Sequence, residues 1–225
     1  MKTTLLLTII WFFTLLSCKT EPKTGIQKTE QEKTILKKVA YAHGYESWKS
    51  VKEITFTFNV ARDSSHFERT WVWKPKSNDV ISILKKDTLR YNRSSMDSTA
   101  IKRNRGFIND RYWILAPFNL IWDANNFTYE HNENEESPIT GEPMQKLTIV
   151  YANEGGYTPG DAYDFYFRDD FILREWVFRK ANQPEPSMVT TWENYITIEG
   201  LKLAVDHKKP EGNFNLHFTD LAVMQ

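Results

Sequence analysis

The chain contains very little cysteine, since Cys18 is the single cysteine among its 225 residues. A disulfide framework, a thiol nucleophile and a zinc cluster built from cysteines are therefore excluded for the chain beyond Cys18. Glycine is also sparse, with nine residues, and neither a glycine-rich phosphate loop nor a dinucleotide-binding fingerprint occurs. The usual signatures of nucleotide-binding and thiol-based enzymes are thus missing.

Other catalytic signatures are missing too. The five histidines are scattered without an HExxH pair, and no serine lies in a GxSxG elbow. Basic and acidic residues balance at 29 each, which argues against a nucleic-acid partner. We therefore predict that the protein is not an enzyme and carries no metal or cofactor. A hydrolase whose carboxylates come from distant strands stays open as an alternative.

Four aspartates lie close together beside glycine-containing turns: Asp161, Asp164, Asp169 and Asp170. Oxygen ligands beside such turns suit calcium, but the spacing of an EF-hand is absent. We interpret Asp169 and Asp170 as the solvated turn of a hairpin instead.

An apolar run near the N-terminus precedes Cys18. Lys2 supplies a positive start, Leu5 to Leu16 form the apolar run, and the sequence Leu-Leu-Ser-Cys closes it. The run is too short to span a bilayer and is typical of a secretory signal. Its last four residues resemble the lipobox of bacterial lipoproteins, which predicts a signal peptide over residues 1–17 and a lipid attached to Cys18. A plain signal peptide with an accidental cysteine is the alternative.

The remainder is predicted to be one domain on a short tether. Residues 18–28 are polar and contain Pro22 and Gly25, a composition typical of a flexible linker. No second apolar run of membrane-spanning length follows. We therefore expect residues 29–225 to form a single domain that is held to the membrane by lipid alone.

The domain is predicted to begin with a helix. Thr29 lies three residues before Glu32, which is the spacing of a capping box. Apolar residues then recur at helical spacing up to His43, and Gly44 supplies a stop. The pattern predicts one amphipathic helix from Thr29 to His43.

After this helix, apolar and polar residues alternate with a period of two. Ile54, Phe56, Phe58 and Val60 form the clearest apolar face, as expected for a half-buried strand. About ten such strands recur at the spacing of antiparallel neighbours, and no helical pattern alternates with them. The chain is therefore predicted to be mainly β (α+β), with antiparallel strands.

Two stretches interrupt the strands. Residues 131–143 are acidic and contain two prolines, while residues 153–161 contain Gly155-Gly156 and Pro159-Gly160. Both compositions are typical of exposed loops, and we predict a loop at each place.

The segment RGFINDRYWILAPFNLIWD, from Arg105 to Asp123, departs from the strand pattern. Asn109 or Asp110 is predicted to cap a helix there, and Pro117 to break or kink it. The segment is apolar nearly all round, so it must be buried on several sides or face an apolar ligand. It is either a helix sandwiched between sheet and loops or a lid over the open side of a curved sheet.

This layout resembles the LolA/LolB-like group of periplasmic lipoprotein carriers and outer-membrane lipoprotein receptors. The likeness covers residues 30–225 and lies in FTFNV at 56–60, WVWKP at 71–75, the block FINDRYWILAPFNLIWD, REWVF at 174–178 and NFNLHFTDLAV at 213–223. The block is also similar to blocks in lipoproteins of Bacteroidetes. The resemblance implies a curved, incomplete antiparallel β-barrel with an N-terminal helix and a helical lid. It also implies an apolar cavity that takes acyl chains.

Large apolar residues become candidate ligand contacts within that resemblance, although core packing is the competing explanation for each. They are Phe56, Phe58, Trp71, Trp73, Trp113, Leu115, Phe118, Trp122, Phe165, Phe167, Trp176 and Trp192. A LolA-type carrier uses an arginine inside its cavity to control the lid. Arg69 shares the inward register of Phe67 and Trp71, and it is the candidate polar anchor. The alternative is an arginine at a rim.

The sequence thus predicts a membrane-anchored lipoprotein of the cell envelope that binds a lipid or a lipoprotein acyl chain without catalysis. Its expected partners are that lipid, the membrane through lipidated Cys18, and an envelope protein. Lys19 and Thr20 do not supply the aspartate that retains enterobacterial lipoproteins in the inner membrane, so we expect the outer membrane, facing the periplasm. The alternative function is an interaction module that docks another protein or a glycan through an exposed aromatic face.

Overall fold

The structure is a computed structural model and describes residues 34–225. The predicted signal peptide, the lipid site at Cys18, the tether, and the capping box at Thr29 and Glu32 lie outside the described residues. Those four assignments, and the domain boundary that follows from them, stay predictions.

Two short helices open the described part of the chain, α1 (Ile35–Ala42) and α2 (Tyr45–Trp48). Gly44 lies between them at φ 84°, a left-handed conformation that favours glycine. A Cβ atom at Gly44 would also lie 1.9 Å from the carbonyl oxygen of Gly200, so no side chain fits there. The predicted end of the first helix before Gly44 is confirmed.

The larger of two sheets contains seven strands: β1 (Glu53–Arg62), β2 (Ser65–Lys74), β3 (Asp79–Leu84), β4 (Asp87–Asn92), β10 (Glu193–Ile198), β11 (Leu201–Lys208) and β12 (Asn215–Met224). Their order across the sheet is β10-β11-β12-β1-β2-β3-β4, and every neighbouring pair is antiparallel. The last strand therefore pairs with the first and brings the two ends of the domain together.

The smaller sheet contains five strands: β5 (Phe127–Glu136), β6 (Pro143–Tyr151), β7 (Ala162–Phe167), β8 (Leu173–Arg179) and β9 (Met188–Thr191). They follow one another in chain order and are all antiparallel, and a short 3₁₀ helix (Lys180–Asn182) follows β8. The predicted mainly β, antiparallel architecture is confirmed. The two sheets do not close into one barrel, and a curved, incomplete barrel describes them.

The predicted loop over residues 131–143 is wrong. Strand β5 continues to Glu136 and β6 begins at Pro143, so only residues 137–142 form the turn. β5 is an edge strand whose side chains are largely exposed, and it therefore shows no apolar alternation for a pattern to detect. The second predicted loop is confirmed, because no helix or strand occupies residues 152–161.

The long helix α3 (Ser98–Trp122) connects the two sheets in sequence. Asp97 caps it, because its Oδ1 accepts a hydrogen bond of 2.7 Å from the backbone N–H of Ala100. The predicted cap at Asn109 or Asp110 is wrong. The first turns of α3 are mostly polar, so the helix begins well before the apolar segment from which it was predicted.

The predicted kink at the proline is confirmed. Leu115 departs from helical geometry, with φ −120° and ψ 18°, two residues before Pro117. A proline inside a helix lacks the N–H for one hydrogen bond and its ring clashes with the preceding turn, so the axis must bend near it.

Helix α3 packs against both sheets. The ring of Phe107 lies 5.5 Å from that of Trp71 in the larger sheet, and the ring of Trp113 lies 4.5 Å from that of Trp176 in the smaller sheet. The helix therefore forms the centre of the core between them. No helix within residues 34–225 is both long enough and apolar enough to cross a membrane.

Candidate functional site

An apolar opening of about 280 Å³ lies between the two sheets at the C-terminal end of β1. We call it the cleft. Both sheets, helix α3 and the loop between β6 and β7 contribute to its walls. Its lining residues are Phe58, Val60, Arg62, Asn109, Trp113, Tyr157, Thr158, Tyr163, Trp176, Phe178, Met188, Phe214 and Leu216.

The larger sheet supplies one wall through strand alternation. Phe58, Val60 and Arg62 are two residues apart on β1, so their side chains share one face. Val60 is paired with Leu216 of β12, and directly opposed residues in antiparallel strands also share a face. The same periodicity that predicted the strand therefore builds this wall.

The smaller sheet supplies the facing wall. Tyr163 of β7 is paired with Phe178 of β8, and Phe178 is in turn paired with Met188 of β9. Trp176 lies two residues before Phe178 and shares its face. Large apolar side chains of three adjacent strands thus face the larger sheet across the cleft.

Helix α3 and the loop over residues 152–161 complete the cleft. Asn109 and Trp113 lie one turn apart on the helix and both line the opening. Tyr157 of the loop stacks on Tyr112 of the helix, with ring centroids 3.7 Å apart and an angle of 3° between the planes. The loop is therefore fastened to the helix beside the opening.

The rim of the cleft carries positive charge. The guanidinium carbon of Arg62 lies 5.1 Å from the ring centroid of Phe214, and the ammonium nitrogen of Lys209 lies 5.4 Å from it. Both side chains are exposed. An anionic group at the mouth of the cleft would meet two cations beside an aromatic ring.

Below the cleft lies a cluster of indole and imidazole rings. Trp176 is 5.5 Å from Trp192, and His207 is 4.6 Å from Trp192 and 5.3 Å from Trp113. The His207 Nδ1–H donates to the carbonyl oxygen of Thr191 at 3.2 Å, and burial lowers the pKa of His207 to about 3. Within the described residues, three buried nitrogen atoms of this cluster have no hydrogen-bond partner: Trp176 Nε1, Trp192 Nε1 and His207 Nε2.

The structure places three of the twelve candidate ligand contacts, Phe58, Trp113 and Trp176, in the walls of the cleft. The others do not line it. Eight of these are buried core residues: Phe56, Trp71, Trp73, Leu115, Phe118, Phe165, Phe167 and Trp192. Trp122 is half-buried and packs against the core beside α2.

Several lining residues are absent from the sequence-based set: Val60, Arg62, Asn109, Tyr157, Thr158, Tyr163, Phe178, Met188, Phe214 and Leu216. Strand alternation carries a signal for many of them, because Val60 continues the face of Phe58 and Phe178 continues that of Trp176. Tyr157 carries no such signal, since it reaches the cleft from a loop.

Arg69 forms a partly buried ion pair with Asp110 of helix α3. Its Nη2 donates to Asp110 Oδ1 at 2.6 Å and to the carbonyl oxygen of Gly106 at 3.3 Å, and its Nε donates to Asp110 Oδ2. Trp71 Nε1 donates to the same Oδ2 at 2.8 Å. Arg69 does face inward, with its guanidinium carbon 5.5 Å from the ring of Phe58, and its Nε and Nη2 hold the helix.

The Asp110 carboxylate is fully buried and depends on these donors. Burial raises the pKa of Asp110, while the hydrogen bonds from Arg69 and Trp71 oppose that change. Gly106 makes room for the pair, because a Cβ atom there would lie 2.5 Å from Arg69 Nη1. The ion pair therefore fixes α3 against β2 close to the cleft.

The remaining candidates for chemistry are accounted for by local contacts. Asp164 pairs with Arg179, and Asp170 pairs with Arg174 at 2.6 Å. Asp169 lies in the turn between β7 and β8, as predicted, and accepts a hydrogen bond from Gln145. Within residues 34–225, no three His, Cys, Asp or Glu side chains converge as metal ligands.

The outer surface has few exposed aromatic rings. Of the large apolar residues that are exposed in the described part of the chain, two are aromatic: Phe67 on β2 and Tyr129 on β5. These strands belong to different sheets. These two most exposed rings therefore do not form one strip.

No protein-family model matches the chain, and no curated protein matches it in sequence. Among solved structures, it is similar to the LolA superfamily protein NE2245 from Nitrosomonas europaea, with 12% sequence identity and a TM-score of 0.51 over 85% of this chain and 92% of that one. It is also similar to a DUF1329 family protein from Desulfovibrio piger, with 12% identity and a TM-score of 0.45 over 83% of this chain and 92% of that one.

The comparison of folds rests on the first of these structures, the LolA superfamily protein. At 12% identity it concerns the arrangement of strands and helices and does not extend to individual residues. The resemblance expected from the sequence is confirmed at that level: the described chain has the fold of a LolA superfamily protein.

Proposed function

We propose that this chain is a non-catalytic binding protein of the cell envelope that holds the end of an acyl chain, from a lipid or a lipoprotein, in the cleft. The observation that carries the proposal is the opening between the sheets, where apolar side chains of both sheets and of α3 surround unfilled space. The fold shared with a LolA superfamily protein and the predicted lipobox support it.

The volume of the cleft limits the ligand. Small-molecule pockets are usually about 300–1,000 Å³, and the cleft, at about 280 Å³, lies near the lower limit. An apolar cavity of roughly 150 Å³ accepts benzene. The cleft therefore suits the end of one chain rather than a whole lipid. Each methylene buried there contributes about 0.8 kcal/mol, so binding is reversible.

The charges around the cleft suggest how the ligand is oriented. Arg62 and Lys209 at the rim attract an anionic head group or carboxylate, while Trp113 and Trp176 offer an apolar surface further in. Charged groups stay solvated outside and apolar ones are buried, since burying an unpaired charge is costly. We therefore place the polar end of the ligand at the rim and its chain end inside.

The residues predicted from the sequence take different parts in this proposal. Phe58, Trp113 and Trp176 contact the acyl chain of the ligand directly. Arg69 acts as a positioning residue, because its Nε and Nη2 hold α3 through Asp110 and Gly106.

Attachment to the membrane is assigned to Cys18. Lipid on this residue and a tether over residues 18–28 would hold the domain at the outer membrane, facing the periplasm. Several acyl chains on one residue give stable anchoring, since each buried methylene contributes about 0.8 kcal/mol.

The proposal is tested by filling the cleft. The full chain carrying Cys18→Ser is titrated with a fluorescent fatty acid, and bound lipid is identified by native mass spectrometry. Val60→Trp adds an indole to the wall of the cleft, and Ile83→Trp adds one at an exposed position of β3 outside it. We expect affinity to fall at least about tenfold in the first variant, a loss of roughly 1.4 kcal/mol, and to stay unchanged in the second.

Both variants keep the same N-terminal apolar run, so its own affinity for lipid cancels in the comparison. Equal affinities in Val60→Trp and Ile83→Trp would place the binding elsewhere. If the unsubstituted chain binds no fatty acid and releases no lipid, the carrier function is excluded.

A further inference from the structure

Two arginines lie on one aromatic platform beside α3, on a different side of the helix from the cleft. The guanidinium carbon of Arg93 lies 5.3 Å from the ring of Phe107, and that of Arg111 lies 5.4 Å from Trp73 and 5.2 Å from Trp122. The rings of Phe107 and Trp73 meet edge to face, with centroids 5.4 Å apart and 71° between their planes, and those of Trp73 and Trp122 meet at 6.4 Å. These three contacting rings are the aromatic platform. We call these two residues the arginine pair.

The arginine pair lacks the carboxylate partners that neighbouring arginines have. Arg69 pairs with Asp110 and Arg103 pairs with Asp87. Arg93 donates from Nε to the side-chain oxygen of Asn104 at 3.2 Å, which is a neutral acceptor. Arg111 Nε is buried without a hydrogen-bond partner, and within residues 34–225 neither member of the pair forms an ion pair.

The two positive charges act on each other across the platform. Burial, followed by the charge of Arg93, lowers the pKa of Arg111 to about 10, and burial lowers that of Arg93. Asp123 is the acidic group with the largest opposing influence on Arg111, but its Oδ2 accepts hydrogen bonds from Asn119 and Tyr151. Two half-buried guanidinium groups of like charge therefore lie near each other without a carboxylate partner in the described part of the chain.

We propose that the arginine pair binds a phosphate group, presented either by the head group of an anionic lipid or by free phosphate. Guanidinium groups donate in a planar fork that matches phosphate oxygens, and two of them together offer more donors than one carboxylate can accept. The flanking indole rings favour the same assignment, because tryptophan and arginine are both suited to the boundary between lipid and water. This site is separate from the cleft and does not depend on it.

The site is separate because of helical geometry. Arg111 lies two residues from both Asn109 and Trp113, which line the cleft, and residues two apart in an α-helix point to roughly opposite sides. A substitution in the cleft should therefore leave phosphate binding unchanged.

The test uses the full chain with Cys18→Ser and isothermal titration calorimetry. The probes are inorganic phosphate, soluble dihexanoylphosphatidic acid, and dihexanoylglycerol, which has the same acyl chains without the phosphate. Arg93→Gln and Arg111→Gln each remove one guanidinium. The matched control is Arg105→Gln, which removes the same charge from an exposed position of the same helix.

We expect phosphate-dependent binding to weaken about ten- to hundredfold in Arg93→Gln and Arg111→Gln, as for the loss of hydrogen bonds to a charged group. It should be unchanged in Arg105→Gln. Binding of both phosphate compounds identifies a site for phosphate in general, and binding of dihexanoylphosphatidic acid alone identifies a lipid head group. Either result supports the proposal.

Two results would overturn it. One is an equal loss in Arg105→Gln, which would mean that net charge alone attracts the anion. The other is no preference for dihexanoylphosphatidic acid over dihexanoylglycerol together with no binding of inorganic phosphate. Should Arg111→Gln fail to fold, Arg111→Lys keeps the charge but loses the planar fork, and a tenfold weakening is still expected.

Discussion

The space between the two sheets is filled at one end of β1 and open at the other. Ile54 and Phe56 are fully buried, and we call their surroundings, with Trp73 and Phe118, the packed end. Further along the same strand, Phe58 lines the cleft. The side chains on this face are similar in type, so the difference comes from what lies opposite them.

At the packed end, aromatic rings of several elements interlock. Trp48 lies 5.4 Å from Trp73, 5.6 Å from Phe118 and 5.1 Å from Trp122. At the open end, the two sheets present their side chains to each other across unfilled space. Cavities exist where the surrounding side chains cannot collapse, so the rigid aromatic packing at one end helps to hold the other end open.

The largest predicted effect is the loss of a ring at the packed end. Phe118→Ala removes a fully buried side chain in contact with three other rings, and we expect it to lower the free energy of unfolding by about 3–5 kcal/mol. Phe214→Ala, at the half-buried rim of the cleft, should lower it by only about 1 kcal/mol. Urea unfolding measures both, and similar losses would contradict the distinction between the ends.

The next effect concerns the ion pair that fixes α3. Asp110→Asn leaves the Arg69 guanidinium without its counter-charge, and we expect a loss of about 3 kcal/mol in unfolding free energy. The double variant Arg69→Met with Asp110→Leu removes both charges and should recover part of that loss, because Trp71 Nε1 then lacks its acceptor. The fatty-acid affinity of the same variants shows whether the position of α3 determines how strongly the cleft binds its ligand. A double variant as unstable as Asp110→Asn would contradict this account.

The third prediction concerns pH and two buried histidines. Burial lowers the pKa of His43 to about 4 and that of His207 to about 3. The unfolded chain takes up protons below about pH 6.5, while the folded chain leaves both rings neutral until the pH is much lower. Their contribution to stability is therefore complete above pH 6.5 and is lost as the pH falls toward 4 and then 3.

Each unit of pKa shift corresponds to about 1.4 kcal/mol. Urea unfolding between pH 7 and pH 4 should show a smaller dependence on pH in His207→Phe, which keeps an aromatic ring beside Trp113 and Trp192 but cannot titrate. The unsubstituted protein is the reference, and an equal slope in His207→Phe would mean that His207 gains no proton when the chain unfolds.

The smallest predicted effect concerns Gly106, which leaves room for the ion pair between Arg69 and Asp110. Alanine usually stabilises a helix by about 1 kcal/mol relative to glycine, but a Cβ atom at Gly106 would lie 2.5 Å from Arg69 Nη1. We therefore expect Gly106→Ala to destabilise the protein by about 1 kcal/mol. In an Arg69→Met background the same change should become stabilising. Thermal unfolding of the four proteins checks this, and a stabilising effect in both backgrounds would show that the guanidinium moves aside at no expense.

Several elements were predictable because their signals are local. The alternation from Ile54 to Val60 identified β1, and Pro117 identified the kink in α3. The start of α3 was not predictable from the apolar block, since its first turns are polar and are set by the cap at Asp97. The edge strand β5 was missed because an exposed strand has no buried face to produce alternation.

The candidate site was predicted only in part, for a related reason. Alternation shows which side chains point inward, and it predicts Phe58 and Trp176, which line the cleft. It does not show which inward side chains pack against other side chains. It therefore also predicts Phe56 and Trp71 as ligand contacts, although both are buried in the core. Tyr157 could not be found at all, because a loop residue has no periodicity.

The sequence by itself determined the class of fold and the kinked central helix, because backbone periodicity and proline geometry act within a few residues. The tertiary structure alone decided where the cleft opens between the sheets, that Arg69 is paired with Asp110, and that Arg93 and Arg111 lie over contacting aromatic rings. Each of these depends on distances between side chains that are far apart in the chain. Such distances are set by how whole sheets pack, and no local pattern records them.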